Sequence, residues 1–156
     1  MNVSEVDATK LLIAFIQARA VAAGDPLENH IFTEPNEWIT NDMKEFCSIG
    51  IEADPDEDEL GDTQAKTIIT WTITFGRRDD VLNDTGTEKE TNDSWAVRYA
   101  GYLRSLTFKE YMTENGLTVP GHHITRTWDE LMRFGQEFLR VSKMTMKMIS
   151  YQDNYY

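Results

Sequence analysis

The chain has 156 residues, 40% of them hydrophobic and 27% charged, a globular composition long enough for one domain burying roughly 68–70% of its unfolded surface. Its net charge of −12 is uneven: residues 1–93 hold 21 acidic and 7 basic side chains, residues 94–156 hold 6 and 8. That balance excludes a chain built to grip nucleic-acid phosphates, which takes lysine and arginine to displace counterions, and no apolar run is long enough for a membrane span.

Ser4, with Glu5 and Asp7 behind it, has the form of a helix N-cap with acidic residues in the first turn. Ala8, Leu11, Leu12, Phe15 and Ile16 continue as an apolar helical stripe, and Gly24 before Asp25 and Pro26 is a stop signal. The spacing predicts a helix over residues 4–23. No basic-then-apolar segment precedes it, so no signal peptide is expected. Residues 25–44 have no clear period; Pro26 and Pro35 interrupt them, and Trp38 and Ile39 are expected to anchor them to the core.

Cys47, Ile49, Ile51 and Ala53 alternate with polar neighbours, which predicts a strand over residues 46–53. Residues 66–76 form the clearest strand, with Ile69, Trp71, Ile73 and Phe75 on one face and Thr70, Thr72 and Thr74 on the other. A threonine face suits either water or a neighbouring subunit. The two strands flank Asp54, Asp56, Glu57, Asp58, Glu59 and Asp62, an acidic stretch expected to be the tip of a long antiparallel hairpin. Arg77 and Arg78 close the second strand, as a solvated end or as partners in an intersubunit ion pair. Residues 79–93 are polar and acidic, with turn chemistry at Asn83 and Gly86, and are expected to be a mobile loop.

Asp93 and Ser94 are suited to capping one helix carrying Trp95, Tyr99, Tyr102, Leu103 and Leu106, closed by Asn115 and Gly116. Residues 95–99 also suit a short strand before that helix. Thr127 and Glu130 match a capping box, which predicts a short helix with Leu131 and Phe134 inward. Met144, Met146 and Met148 alternate with Lys143, Thr145 and Lys147 in a final strand over residues 139–151, where a methionine face suits the core or an adaptable interface. Tyr151, Tyr155 and Tyr156 end the chain, and tyrosine is enriched at interfaces, so the tail from Gln152 is expected to act in assembly.

The chemistry-bearing residues do not assemble into a motif. Asp54, Asp56 and Asp58 occupy alternate positions of a calcium loop, but Glu59 stands where glycine is needed and Ala65 where glutamate is. His122 and His123 are adjacent, so their side chains point apart in an extended chain, and no cysteine or carboxylate stands at zinc spacing from them. A surface or interfacial loop is their expected setting. Cys47, the one cysteine, allows no internal disulfide, fits synthesis in a reducing compartment, and sits in an apolar strand where thiols are inert. No nucleophile elbow or phosphate-binding glycine loop is present. No catalytic, cofactor or metal residue is therefore assigned, and a non-enzymatic role is expected.

The order helix, long hairpin, polar loop, helix, short helix, final strand resembles the tail-terminator or neck proteins of tailed bacteriophages. Residues 71–75, 99–106 and 134–144 carry the likeness: a strand, a helix with spaced alanine and leucine, and a closing strand beginning near an arginine. The resemblance covers about residues 4–151; the acidic hairpin and the tyrosine tail have no counterpart in it. It implies an α+β fold, a single domain with a mainly antiparallel twisted sheet, a long acidic hairpin and flanking helices. It further implies a virion protein made in the host cytoplasm that forms a homohexameric ring at the head-proximal end of the tail. There it would stop tube polymerisation and join the tail-tube protein to head-completion or connector proteins. DNA would pass through without tight binding, because like charge prevents adhesion. Thr70, Thr72, Thr74, Arg77, Arg78, Tyr151, Tyr155 and Tyr156 are then the candidate interface residues. Another head–tail joining or tail-tube component, and an acidic inhibitor that mimics DNA, are the alternative readings.

Overall fold

The structure, a computed structural model, describes residues 3–25, 27, 30–33, 45–52, 57–59, 64–77, 92–134 and 137–153. Helix α1 (Glu5–Ala23) is bounded as its sequence predicts. The Ser4 hydroxyl accepts the Asp7 N–H at 3.1 Å, satisfying one of the donors a helix start leaves open. At the other end Gly24 turns left-handed with φ of 71°, and the Asp25 N–H reaches back to the Ala20 carbonyl at 2.9 Å. Ala8, Leu12, Phe15, Ile16 and Ala20 form its buried stripe.

The strands are β1 (Ile31–Thr33), β2 (Glu45–Glu52), β3 (Glu57–Glu59), β4 (Gln64–Arg77), β5 (Ile124–Phe134) and β6 (Glu137–Asp153). They form one sheet in the order β1-β2-β4-β6-β5, with β3 also pairing β4. Only β1 and β2 run parallel; the other pairs are antiparallel. With three helices packed on the sheet, the fold is α+β, as the sequence pattern implies.

The hairpin between β2 and β4 forms, but its acidic stretch is not all tip. Glu57, Asp58 and Glu59 lie in β3, opposite Thr67, Lys66 and Ala65. Beyond Thr70 the backbone of β4 has no β2 residue to pair with, and three acidic residues satisfy it as a short charged edge strand. Asp54, Asp56 and Asp62 lie outside the described residues, as do Trp38, Ile39 and most of the loop expected over residues 79–93.

Three further expectations are corrected. The single helix from residue 93 is two: α2 (Asn92–Arg104) and α3 (Leu106–Glu114). It begins at Asn92, so Asp93 and Ser94 are inside its first turn, and residues 95–99 are helical. Ser105 breaks the run in an extended conformation, its hydroxyl accepting the Phe108 N–H at 3.2 Å as the N-cap of α3. Leu106 is thereby turned to solvent instead of joining the stripe of Tyr99 and Leu103. The helix expected at residues 127–134 is strand β5, paired with β6 from Ile124↔Met146 to Phe134↔Glu137. The Thr127–Glu130 spacing also fits a strand, and the available β6 edge decides between the two; Leu131 is 62% exposed, not inward. β6 itself continues through Gln152 and Asp153, so the tail begins inside the sheet.

The core lies on one face of the sheet. Ile69, Trp71, Ile73 and Phe75 of β4, Met144, Met146 and Met148 of β6, and Cys47 and Ile49 of β2 pack beneath α1, α2 and α3. Phe15 meets Phe108 edge-on, ring centroids 4.8 Å apart, joining α1 to α3. Trp71 is fully buried, and its indole N–H would be costly there without an acceptor. The Thr9 hydroxyl accepts it at 2.9 Å and donates in turn to the Glu5 carbonyl at 2.7 Å. Trp71→Ala is therefore expected to destabilise the subunit by about 3–5 kcal/mol through lost burial and the cavity left behind. Trp71→Phe, which retains a ring but loses the N–H that Thr9 accepts, is expected to cost less; equilibrium urea unfolding of both variants checks the order.

Candidate functional site

The expected interface threonines occupy the centre of the sheet face opposite the core. The register sets Thr70 between Glu52 and Lys147, Thr72 between Gly50 and Thr145, and Thr74 between Ser48 and Lys143. On this central strand Thr70 and Thr74 are only 4% and 6% exposed, and Thr72 is half-buried. The face is thus a hydroxyl floor rimmed by lysines. At one end it turns apolar: Gly76 lies opposite both Phe46 and Val141, which are buried outside the main core cluster. A Cβ on Gly76 would run into the Phe46 ring, so the glycine makes room for it. Along the β5 side the Lys143 ammonium sits 2.8 Å from the Glu130 carboxylate. Its hydrogen bond and charge hold that exposed carboxyl below the usual range. The Arg126 guanidinium stacks over Trp128 at 4.6 Å.

The other expected site residues do not converge with these threonines. Arg77 ends β4 opposite Glu45, and Tyr151 is half-buried on β6 opposite Lys66, at the far end of the strand. Arg78, Tyr155 and Tyr156 lie outside the described residues. Cys47 is fully buried, and burial pushes its thiol far above the ordinary range, so it stays protonated and unreactive. Among the described residues no three of His, Cys, Asp or Glu stand close enough to hold a metal ion.

Two polar arrangements escape sequence reasoning, one half-buried at Asp25 and one buried at His123. Asp25, just past the α1 cap, accepts from both terminal guanidinium nitrogens of Arg98 at 3.0 and 3.2 Å and from the Tyr99 hydroxyl at 2.7 Å. Arg98 also stacks against Tyr99 and donates to the Tyr102 hydroxyl at 3.3 Å. With both its oxygens engaged, the carboxylate acts as a clamp between the end of α1 and α2. Its one legible signal is the Arg98–Tyr102 spacing of four on a helix. The second is His123. The break at Ser105 leaves the Leu103 carbonyl without a helical donor, and the His123 ring N–H reaches it at 2.6 Å. His122 is exposed in a turn, as expected of a surface loop, whereas His123 is buried and lies against Phe108. Burial, helped by the nearby Lys109 and Arg104 charges and opposed by the Leu103 hydrogen bond, lowers its pKa.

Two outcomes follow from these contacts. Because the folded pKa of His123 lies below its unfolded value of about 6.5, the unfolded chain binds more protons between the two. Stability from His123 is complete above that value and is lost as pH falls through the folded pKa. The melting temperature is expected to drop on acidification from about pH 7 to pH 5, and His123→Gln, which donates without titrating, is expected to flatten the drop. For the clamp, a double-mutant cycle with Asp25→Ala and Arg98→Ala is expected to give a coupling of about 1–2 kcal/mol in unfolding free energy.

A scan of protein-family models finds no match to this chain, and a search of curated proteins finds none either. Function is therefore read from its residues and their geometry.

Proposed function

We propose that the chain is a structural subunit of a tailed-phage virion. It forms a ring at the head-proximal end of the tail, terminates the tail tube there, and joins it to the head connector. The observation that carries this reading is a single sheet with its helices on one face and two unlike lateral edges. One edge carries β1 and, beyond it, β3, and the other is the eleven-residue strand β5. Unlike edges favour head-to-tail contacts, and such contacts generate rings when the rotation between subunits closes. Asp25, Arg98, His123 and Thr9 hold helices to one another and to the sheet. A net charge of −12 suits a ring through which DNA moves without adhering.

The ring is expected in purified protein, or once the tail-tube and head-connector proteins are added, as a hexamer by light scattering and electron imaging. A strict monomer in both settings would remove this reading. If that monomer instead bound a DNA-processing enzyme, the DNA-mimic alternative would take its place.

A further inference from the structure

β5 pairs with β6 on one side and has no outer partner among the described strands. A long open edge is a template for another chain, and proteins shield such edges with charge, with bulges or with a covering segment. Here the cover is incomplete. A cleft of about 350 Å³ opens on the helix side between α2 and the β5–β6 pair, with Thr127 and Asp129 exposed along it, so α2 does not close the approach to that edge. Leu131, farther along β5, is also exposed.

On the face away from the helices β5 presents Arg126, Trp128 and Glu130 at alternate positions. The exposed Arg126 guanidinium stacks on the half-buried Trp128 ring and has no carboxylate partner among the described residues. The exposed Glu130 holds Lys143 at 2.8 Å through one oxygen, which leaves lone pairs for a second cation. A strand with opposite charges equally spaced about a central residue is complementary to its own antiparallel copy. A two-fold axis through Trp128 sets Arg126 opposite Glu130 of the second copy, and Glu130 opposite the second Arg126. Trp128 then meets its own equivalent, and Thr127 meets Asp129. Other centres fail on charge: at Asp129 or Glu130 they oppose like carboxylates, and at Thr127 they leave Glu130 facing Ile124. We propose that in the free protein β5 pairs with β5 of a second copy, antiparallel and centred on Trp128. The axis stands perpendicular to the sheet, so the helices of both copies share one face and the sheet continues across the contact. The bulge where the β5–β6 register shifts between Ile124 and Arg126 limits the regular ladder to the stretch from Arg126 to Glu130, and Arg133 falls beyond it. So short a contact is weak and reversible. It goes beyond the ring reading and uses an edge that a head-to-tail ring also needs. The pair is therefore the state of the unassembled subunit, shielding β5 until a ring contact replaces it.

Sedimentation equilibrium of the full-length chain over a range of concentrations is expected to show a monomer–dimer equilibrium that weakens as salt rises. Arg126→Glu brings carboxylates against carboxylates and Glu130→Arg brings cations against cations. Each variant alone is expected to dimerise roughly tenfold or more weakly than wild type. Mixed in equal amounts the two are expected to regain dimerisation, because every charge then faces its opposite. The double variant, Arg126→Glu with Glu130→Arg, restores the complement within one chain and is expected to dimerise like wild type. All of these are expected to melt close to wild type, since the exchanged side chains are exposed. Recovery by the mixture or by the double variant supports the proposal. It is overturned by a wild type that stays monomeric or passes to rings with no dimer, by either single variant dimerising like wild type, or by folded variants that recover in neither arrangement. The ring reading stands or falls separately, on assembly with the tail and head proteins.

Discussion

The antiparallel pairing of β4 with β6 runs without interruption from Gln64↔Asp153 to Gly76↔Val141, and the rest of the subunit depends on its register. Side chains alternate between faces along a strand, so a slip of one residue would put Trp71 and Met146 on opposite faces and bring Thr72 or Lys147 into the core. The pairing therefore decides at once which face receives the helices and which keeps its hydroxyls. β2 and β3 add to one side of this pair and β5 to the other, so the two lateral edges inherit their character from strands far apart in sequence. The acidic edge comes from the acidic half of the chain and the β5 edge from the half with a slight basic excess.

The helical layer is held to this frame by a few polar contacts that each remove a specific cost. Trp71 brings an indole N–H into an apolar core and Thr9 accepts it. The break between α2 and α3 strands a carbonyl, and His123 donates to it. Asp25 lies just beyond the end of α1, where α2 supplies Arg98 and Tyr99. In each case the hydrogen bond is made inside the subunit and offsets the cost of desolvating the group. What the described surface leaves unused lies elsewhere, at the sheet edges and the cleft beside α2.

Much of the fold was legible from residue order because period and punctuation agree. α1 has a serine cap, acidic first turn, apolar stripe and glycine stop, each acting within a turn of the chain. β4 and the methionine stretch of β6 alternate with β-branched, aromatic or unbranched apolar residues on one face, and burying that face is the only arrangement that hides them. The buried, unreactive Cys47 follows from the same alternation. Of the candidate interface, the threonine row was correctly placed on the face away from the core, since the period places it there.

What tertiary structure alone decided were the positions where local signals were satisfied in two ways. Thr127 and Glu130 match a helix cap and a strand equally, and the free edge of β6 chose the strand. The acidic residues 57–59 have turn-like composition, yet the unpaired backbone of β4 drew them into its ladder. Ser105 reads as one polar residue on a helix until its hydroxyl caps α3. The Asp25 clamp spans 73 residues and the His123 contact 20, separations over which no periodicity carries information. The sequence by itself determined which faces must be hidden, because hydrophobic burial depends on local alternation; only the assembled chain decided which polar groups meet, because hydrogen bonds depend on geometry between distant segments.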